Sequence, residues 1–367
     1  MTTPEKIQHL LLVRLDHVGD CVMTVPPIVR SLKNTYPDIK ISLMTTHRNS
    51  ELISTVEEID QIMIYDAPWS VRPEGYSRTP VFAYISKLVK MWFKANVRKS
   101  LGRYDAVIFL SHAYWERFLF ASLASVRLGF VGTYNSRRQR ISEKLLTQSL
   151  PFDTSKHQLT NCYNLIECIL PVQHRESKTW LRVSETDMHF GQSILAEAGL
   201  SSECIACLHP GGGHFRSWPE ERFAEIALWL ARNKSMKVAV IAGPREFHLA
   251  KHIQAKANHP DIIALMTPSY KSVMCLMPHV KLYIGNDTGP THIAAACGVP
   301  TLAIFGPTSN TIFSPVGRVF KCIKIDPGCS PCRIPWKPVQ SCERNLECLN
   351  GISVERVVQG IMELIDV

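Results

Sequence analysis

Leu10-Leu11-Leu12-Val13-Arg14-Leu15-Asp16-His17-Val18-Gly19-Asp20 is the stretch on which the fold reading turns. An apolar run of strand length, Leu10 to Leu15, passes through a glycine-bearing turn into a helical stretch from about Met23 to Tyr36. Strand, turn and helix in that order open an α/β unit. Working outward, further strand candidates fall at Ile39 to Thr45, Gln61 to Tyr65, Ala106 to Leu110 and Val126 to Phe130, and the stretches between them are long enough for crossover helices. One of these, Val81 to Lys99, spaces Phe82, Ile85, Leu88, Val89, Trp92 and Phe93 as a helix face, with Lys87, Lys90, Lys94, Arg98 and Lys99 among them.

After Pro171 the chain turns polar, and a second α/β series follows. Its strand candidates are Cys204 to Leu208, Lys237 to Ile241, Ile262 to Leu265, Leu282 to Gly285 and Pro300 to Phe305. Its helices fall near Pro219 to Arg232, Phe247 to Ala257 and His292 to Cys297. The expectation is α/β architecture with two Rossmann-like domains, residues 1–171 and 204–350, joined by a linker region 172–203. Their parallel sheets would face a central cleft, and a terminal helix within 351–367 would return toward the first domain.

At 367 residues and 46% hydrophobic, the chain exceeds what one core usually supports, which agrees with two domains. No stretch approaches the roughly 20 apolar residues of a membrane span, and no signal peptide is read at the start. Twelve cysteines are many, yet Cys162, Cys168, Cys275 and Cys297 lie in apolar segments where a thiol packs as a small hydrophobe. Cytoplasmic residence is the expectation. The formal charge is +9, and from Arg72 to Lys144 there are 14 lysines and arginines against four acids. That half of the chain is expected to face something anionic.

Two glycine-rich turns carry candidate chemistry. Leu208-His209-Pro210-Gly211-Gly212-Gly213 exposes backbone amides after a strand, and Arg216 adds a fixed positive charge beside them. Ile284-Gly285-Asn286-Asp287-Thr288-Gly289-Pro290-Thr291-His292 ends another strand and enters a helix, offering helix amides and the Thr288 hydroxyl to a phosphate. Asp287 suits a sugar hydroxyl, Arg216 or the loop itself better than a phosphate. Neither turn has the G-x-G-x-x-G dinucleotide spacing and there is no P-loop, which weighs against dehydrogenase and ATPase readings. In the tail, Cys329, Cys332, Cys342 and Cys348 are spaced as candidate ligands of a structural zinc or iron ion, with disulfides or packed thiols as alternatives.

In order along the chain, Arg14 to Asp20, His209-Pro210-Gly211 with Arg216-Ser217-Trp218-Pro219-Glu220, Ala242-Gly243-Pro244 with Glu246, and Gly285 to His292 through Phe305-Gly306-Pro307-Thr308 resemble glycosyltransferase family 9. That family contains the lipopolysaccharide heptosyltransferases. The resemblance implies a GT-B fold and an inverting, metal-independent transfer of heptose from ADP-heptose to the lipopolysaccharide inner core. It implies Asp20 as general base and Arg216 as stabiliser of the pyrophosphate, where better-known members place lysine. It further implies Gly211, Gly212, Glu246, Asp287, Thr288, Gly289 and His292 as the donor site, with Glu246 toward the ribose. With a phosphorylated acceptor at the inner membrane, Arg14, Lys87, Lys94, Arg137, Arg138 and Arg140 become candidate acceptor contacts, and peripheral attachment to an anionic membrane surface is expected. No cofactor is expected beyond the donor substrate.

Other readings stay open: another nucleotide sugar or acceptor, a nucleotide-sugar epimerase, or a nucleic-acid-binding protein stacking bases on Tyr114, Trp115 and Phe118. Asp16 and His17 rival Asp20 as the base.

Overall fold

The computed structural model describes residues 7–66, 104–132, 136–178, 180–200, 204–213, 215–332 and 342–365. The chain divides after Glu176 into two units, inside the anticipated linker region. Part of that region is ordered as the helix Glu185–Glu197, capped by the Ser184 hydroxyl accepting from Asp187 N–H.

The first unit holds a six-stranded sheet in the order β3-β2-β1-β4-β5-β6. Its strands are β1 His9–Arg14, β2 Lys40–Thr45, β3 Gln61–Ile64, β4 Tyr104–Phe109, β5 Ala124–Val131 and β6 Gln148–Pro151. Every pairing is parallel. The central strands read as continuous apolar runs because helices cover both faces, and Leu10, Leu11, Leu12 and Val13 are fully buried. The helix after β1 runs from Val18 to Thr35, five residues earlier than its expected start, and carries Pro26 and Pro27 inside it.

The second unit repeats the plan with β7 Ile205–His209, β8 Lys237–Ala242, β9 Ile262–Met266, β10 Val280–Asn286, β11 Thr301–Ile304 and β12 Phe320–Ile323. The order is β12-β11-β10-β7-β8-β9, which is the first sheet's order counted from its own first strand. Each sheet therefore reverses direction beside its first strand, between β1 and β4 and between β7 and β10. Loops leaving the carboxyl ends of those strands diverge there, and ligands of open α/β sheets bind at such points. The terminal helix Val354–Ile365 lays Val357, Ile361 and Leu364 into the second unit's core beside Trp218 and Phe223, which satisfies its apolar face there.

Two parallel sheets with flanking helices are the GT-B plan expected from the sequence. The helix expected at Val81 to Lys99, with Lys87 and Lys94, lies outside the described residues. Among the described residues no helix is long and apolar enough to cross a membrane.

The cysteine-ligand expectation is overturned: among the described residues no three His, Cys, Asp or Glu side chains are grouped to hold a metal ion. Cys348 is buried in the second core, and burial, with the neighbouring cysteines, pushes its thiol up to about 11. Cys342 Sγ accepts from Leu346 N–H at 3.2 Å, while Cys329 is exposed. A thiol raised as Cys348 is makes a poor ligand, because a metal binds the thiolate.

Candidate active site

At the first switch point the strand β1 ends on Arg14, which is fully buried. A buried guanidinium persists only with its charge and donors matched. Arg14 Nε lies 2.9 Å from Asp16 Oδ1 and Nη2 lies 3.3 Å from Asp20 Oδ1. Nη1 donates to the carbonyl of Leu110, the residue that follows β4. With its amide oxygen turned inward, Gln158 accepts from Nη1 and Nη2 at 3.2 and 3.1 Å. Arg14, a candidate acceptor contact from the sequence, thus pins the two loops of the switch point together.

Asp20 lies in the first turn of the helix Val18–Thr35, three residues past the cap position held by His17. It is no N-cap. Its side chain is 16% exposed, enough to meet a substrate hydroxyl. Asp16, 27% exposed, is pushed up toward about 7 by burial and by the charge of Asp20, against the pull of Arg14. His17 is exposed at the mouth of the loop.

Behind this pair sits Glu116, fully buried and hydrogen-bonded through Oε2 to the Ser111 hydroxyl at 2.7 Å. Burial, then the charge of Asp16, pushes its carboxyl up to about 8. No sequence signal marked it, because Tyr114 to Phe120 reads as an aromatic run. The folded protein keeps this proton at pH values where the unfolded chain, titrating near 4.5, has lost it. Its contribution to stability is therefore whole below about pH 4.5 and is lost as pH rises toward 8. Glu116→Gln, which cannot ionise, is expected to lose less melting temperature than the parent between pH 5 and 8. Thermal unfolding across that range checks this, and parallel curves would contradict it.

At the second switch point the three glycines are needed for different reasons. A β-carbon on Gly211 would collide with the Glu246 carboxylate and the His209 ring, one on Gly212 would press the Arg216 carbonyl, and Gly213 has φ +70°. Glu246 Oε1 accepts from Gly212 N–H at 3.2 Å. His209 is buried, and burial pulls its ring down to about 4, so it is neutral at physiological pH. Its Nδ1 lies 3.3 Å from the Thr288 hydroxyl.

Trp218 explains how the next loop is held. Its buried indole donates to Ile352 O at 3.0 Å, its backbone N–H donates to Asn286 Oδ1 at 3.0 Å, and its ring meets Phe223 edge-on with centroids 5.1 Å apart. Asn286 in turn donates to the carbonyls of Pro210 and Gly211 at 2.8 and 3.1 Å. The Arg216 loop and the β10 turn are therefore fixed to one another. Arg216 Nη1 donates to Asp287 O at 3.3 Å, and its Nε is buried without a hydrogen-bond partner among the described residues. Asp287 pairs its carboxylate with His292 Nε2 at 3.4 Å. Against the upward push of burial, His292, Thr308 and Arg216 hold that carboxyl below its usual range. Thr288 is the N-cap of the helix Gly289–Ala296 and makes no side-chain cap, so the hydroxyl and the first helix amides face the same loop cluster. Gly211, Gly212, Arg216, Glu246, Asp287, Thr288, Gly289 and His292 thus gather at one sheet edge.

Arg137, Arg138 and Arg140 are exposed on the short helix Arg137–Glu143 of the first unit. Arg138 lies over the Trp115 ring at 5.8 Å. Tyr114, Trp115 and Phe118 form a half-exposed aromatic group there.

Comparison with known proteins gives the family and the fold. The model of glycosyltransferase family 9 (heptosyltransferase) matches residues 95–341. Lipopolysaccharide heptosyltransferase 3 of Escherichia coli is 23% identical over 300 residues, spanning 81% of this chain and 83% of the relative. Among solved structures, a family 9 glycosyl transferase from Veillonella parvula DSM 2008 superposes with TM-score 0.75 at 20% identity, covering 98% of this chain and 97% of that one. The E. coli ADP-heptose lps heptosyltransferase II superposes with TM-score 0.70 at 19% identity, covering 97% and 98%. At these identities the structural likenesses establish the two-domain GT-B fold.

Proposed function

The chain belongs to glycosyltransferase family 9, the heptosyltransferase family, and from that premise we propose that it transfers a heptose from ADP-heptose to the inner core of lipopolysaccharide. Glycosyltransfer of the heptosyltransferase type is the activity of the family; the donor, the acceptor and the residue roles are our reading. The observation that carries it is the second switch point. There one arginine, a helix N-terminus and a carboxylate bound to a histidine converge on a glycine-lined loop, which is the equipment for a sugar diphosphate.

In the reaction the acceptor hydroxyl oxygen bonds to the anomeric carbon as the bond from that carbon to the diphosphate oxygen breaks, and the configuration inverts. The hydroxyl proton passes to Asp20, and the electron pair of the broken bond leaves with ADP. Asp20 supplies the base, held by Arg14. Arg216 and the amides beside Thr288 and Gly289 stabilise the charge growing on the leaving diphosphate. Asp287, kept ionised by His292, suits hydroxyls of the donor sugar, and Glu246, anchored on Gly212, suits the ribose. Arg137, Arg138 and Arg140 offer exposed positive charge to a phosphorylated acceptor at an anionic membrane face, with Lys87 and Lys94 as further candidates.

A ligand that binds only the folded state raises its melting temperature. ADP is therefore expected to stabilise the protein where UDP, GDP and CMP do not, as a thermal-shift series measures. Stabilisation by UDP or GDP without a response to ADP would remove the ADP-heptose assignment.

A further inference from the structure

At the end of β1 one guanidinium serves two carboxylates: Arg14 meets Asp16 through Nε at 2.9 Å and Asp20 through Nη2 at 3.3 Å, and its remaining donors are taken by Leu110 O and Gln158. We propose that Arg14 is a positioning residue that aims the Asp20 carboxylate, and that Asp16 is a second carboxylate whose ionisation tunes the basicity of Asp20 by competing for the same positive charge. The inference rests on the reading of Asp20 as the base.

Geometry limits how the charges can be shared. A single buried cation offsets one carboxylate well and two incompletely, and water reaches the pair only through the exposed edges of Asp16 and Asp20. When Asp16 is protonated, Arg14 belongs to Asp20 alone, which lowers that group's affinity for a proton. When Asp16 ionises, it draws on the guanidinium and adds a like charge nearby, so Asp20 becomes the stronger base. Transfer should therefore speed up as Asp16 loses its proton.

The other groups facing the cluster narrow the assignment. Cys21 and Cys162 are thiols pushed up to about 12 by burial, and His112 is pulled down to about 3 by burial. None of the three changes charge near neutrality. Arg117 stays cationic, donating to Ser142 Oγ and Phe130 O at 3.2 and 2.5 Å. Asp16 and Glu116 are both pushed upward by burial, and the exposed His17 beside Asp16 is the other ionisable side chain of the loop. Of the two carboxyl groups, Asp16 touches the guanidinium and is partly exposed, whereas Glu116 is sealed behind it.

The test is the pH profile of single-turnover transfer with saturating ADP-heptose and a deacylated core acceptor, between pH 5.5 and 9. The parental rate is expected to rise roughly 3- to 10-fold through an inflection near neutrality. Asp16→Asn should lose that inflection, and Asp16→Glu, the variant to use if the amide does not fold, should move it. Glu116→Gln and His17→Gln should keep it. Arg14→Lys retains the charge but not the fork, and should lower the rate at every pH with ADP affinity unchanged. A profile that is the same in Asp16→Asn and the parent, or an inflection that disappears with Glu116→Gln or His17→Gln, overturns the proposal. If Asp20→Asn transfers at the parental rate, the base assignment itself fails, and that result is separate from any change in profile.

Discussion

Asp20→Asn is expected to fold, to bind ADP as the parent does, and to lose about 100-fold or more in the rate of transfer. The substitution keeps the size and the oxygen that faces Arg14 Nη2, and it leaves Asp16 on Nε as the partner of the buried guanidinium. Removing a carboxylate from the first helical turn also forfeits a favourable charge near the helix N-terminus, an effect of under about 1 kcal/mol. A modest fall in melting temperature is therefore compatible with the base role, and a large fall in rate at saturating donor and acceptor is required by it. Single-turnover measurement separates transfer from product release. Parental chemistry in that variant would shift the base to Asp16 or His17.

The second large effect belongs to Arg216. Among the described residues its side chain has one hydrogen bond, to Asp287 O at 3.3 Å, a contact whose loss costs about 1 kcal/mol. The loop that carries it is fixed independently by Trp218 and Asn286. Arg216→Ala should therefore leave the fold near its parental stability while turnover falls by roughly 100-fold or more, the scale on which removal of one charge-stabilising donor acts. Arg216→Lys restores the charge without the planar fork and should recover part of the rate. Near-parental turnover in the alanine variant, measured as acceptor-dependent ADP release, would exclude this side chain from leaving-group stabilisation.

Much of the framework was legible because buried parallel strands are continuous apolar runs. Leu10 to Leu15, Lys237 to Ile241 and Leu282 to Gly285 read at nearly their observed limits for that reason. The strands Gln148–Pro151 and Phe320–Ile323 carry no such signal, since each lies at a sheet edge, is four residues long and is half-exposed, so it needs no apolar run. The helix after β1 was read as starting at Met23 because Gly19 suggests a turn. The structure buries Gly19 in the first turn of the helix.

Site residues were legible where glycine, a fixed charge and a strand end coincide in the sequence, as at His209 to Arg216 and Asn286 to Gly289. Residues that act through tertiary contact were not. Gln158 and Leu110 reach Arg14 from distant positions in the chain, Glu116 hides in an aromatic stretch, and Trp218 works through hydrogen bonds to Asn286 and to the distant Ile352. The cysteine tail shows the opposite error: local spacing suggested a metal site, whereas among the described residues no three candidate ligands are grouped to hold an ion.

The central claim is tested most directly by incubating the purified protein with ADP-heptose and a deacylated inner-core oligosaccharide, following ADP release and the mass and anomeric configuration of the product. The account predicts an acceptor extended by one heptose, inverted at its anomeric carbon, with ADP released in equal amount and only when acceptor is present. ADP release without an extended product, or a product that retains the donor's configuration, would contradict it.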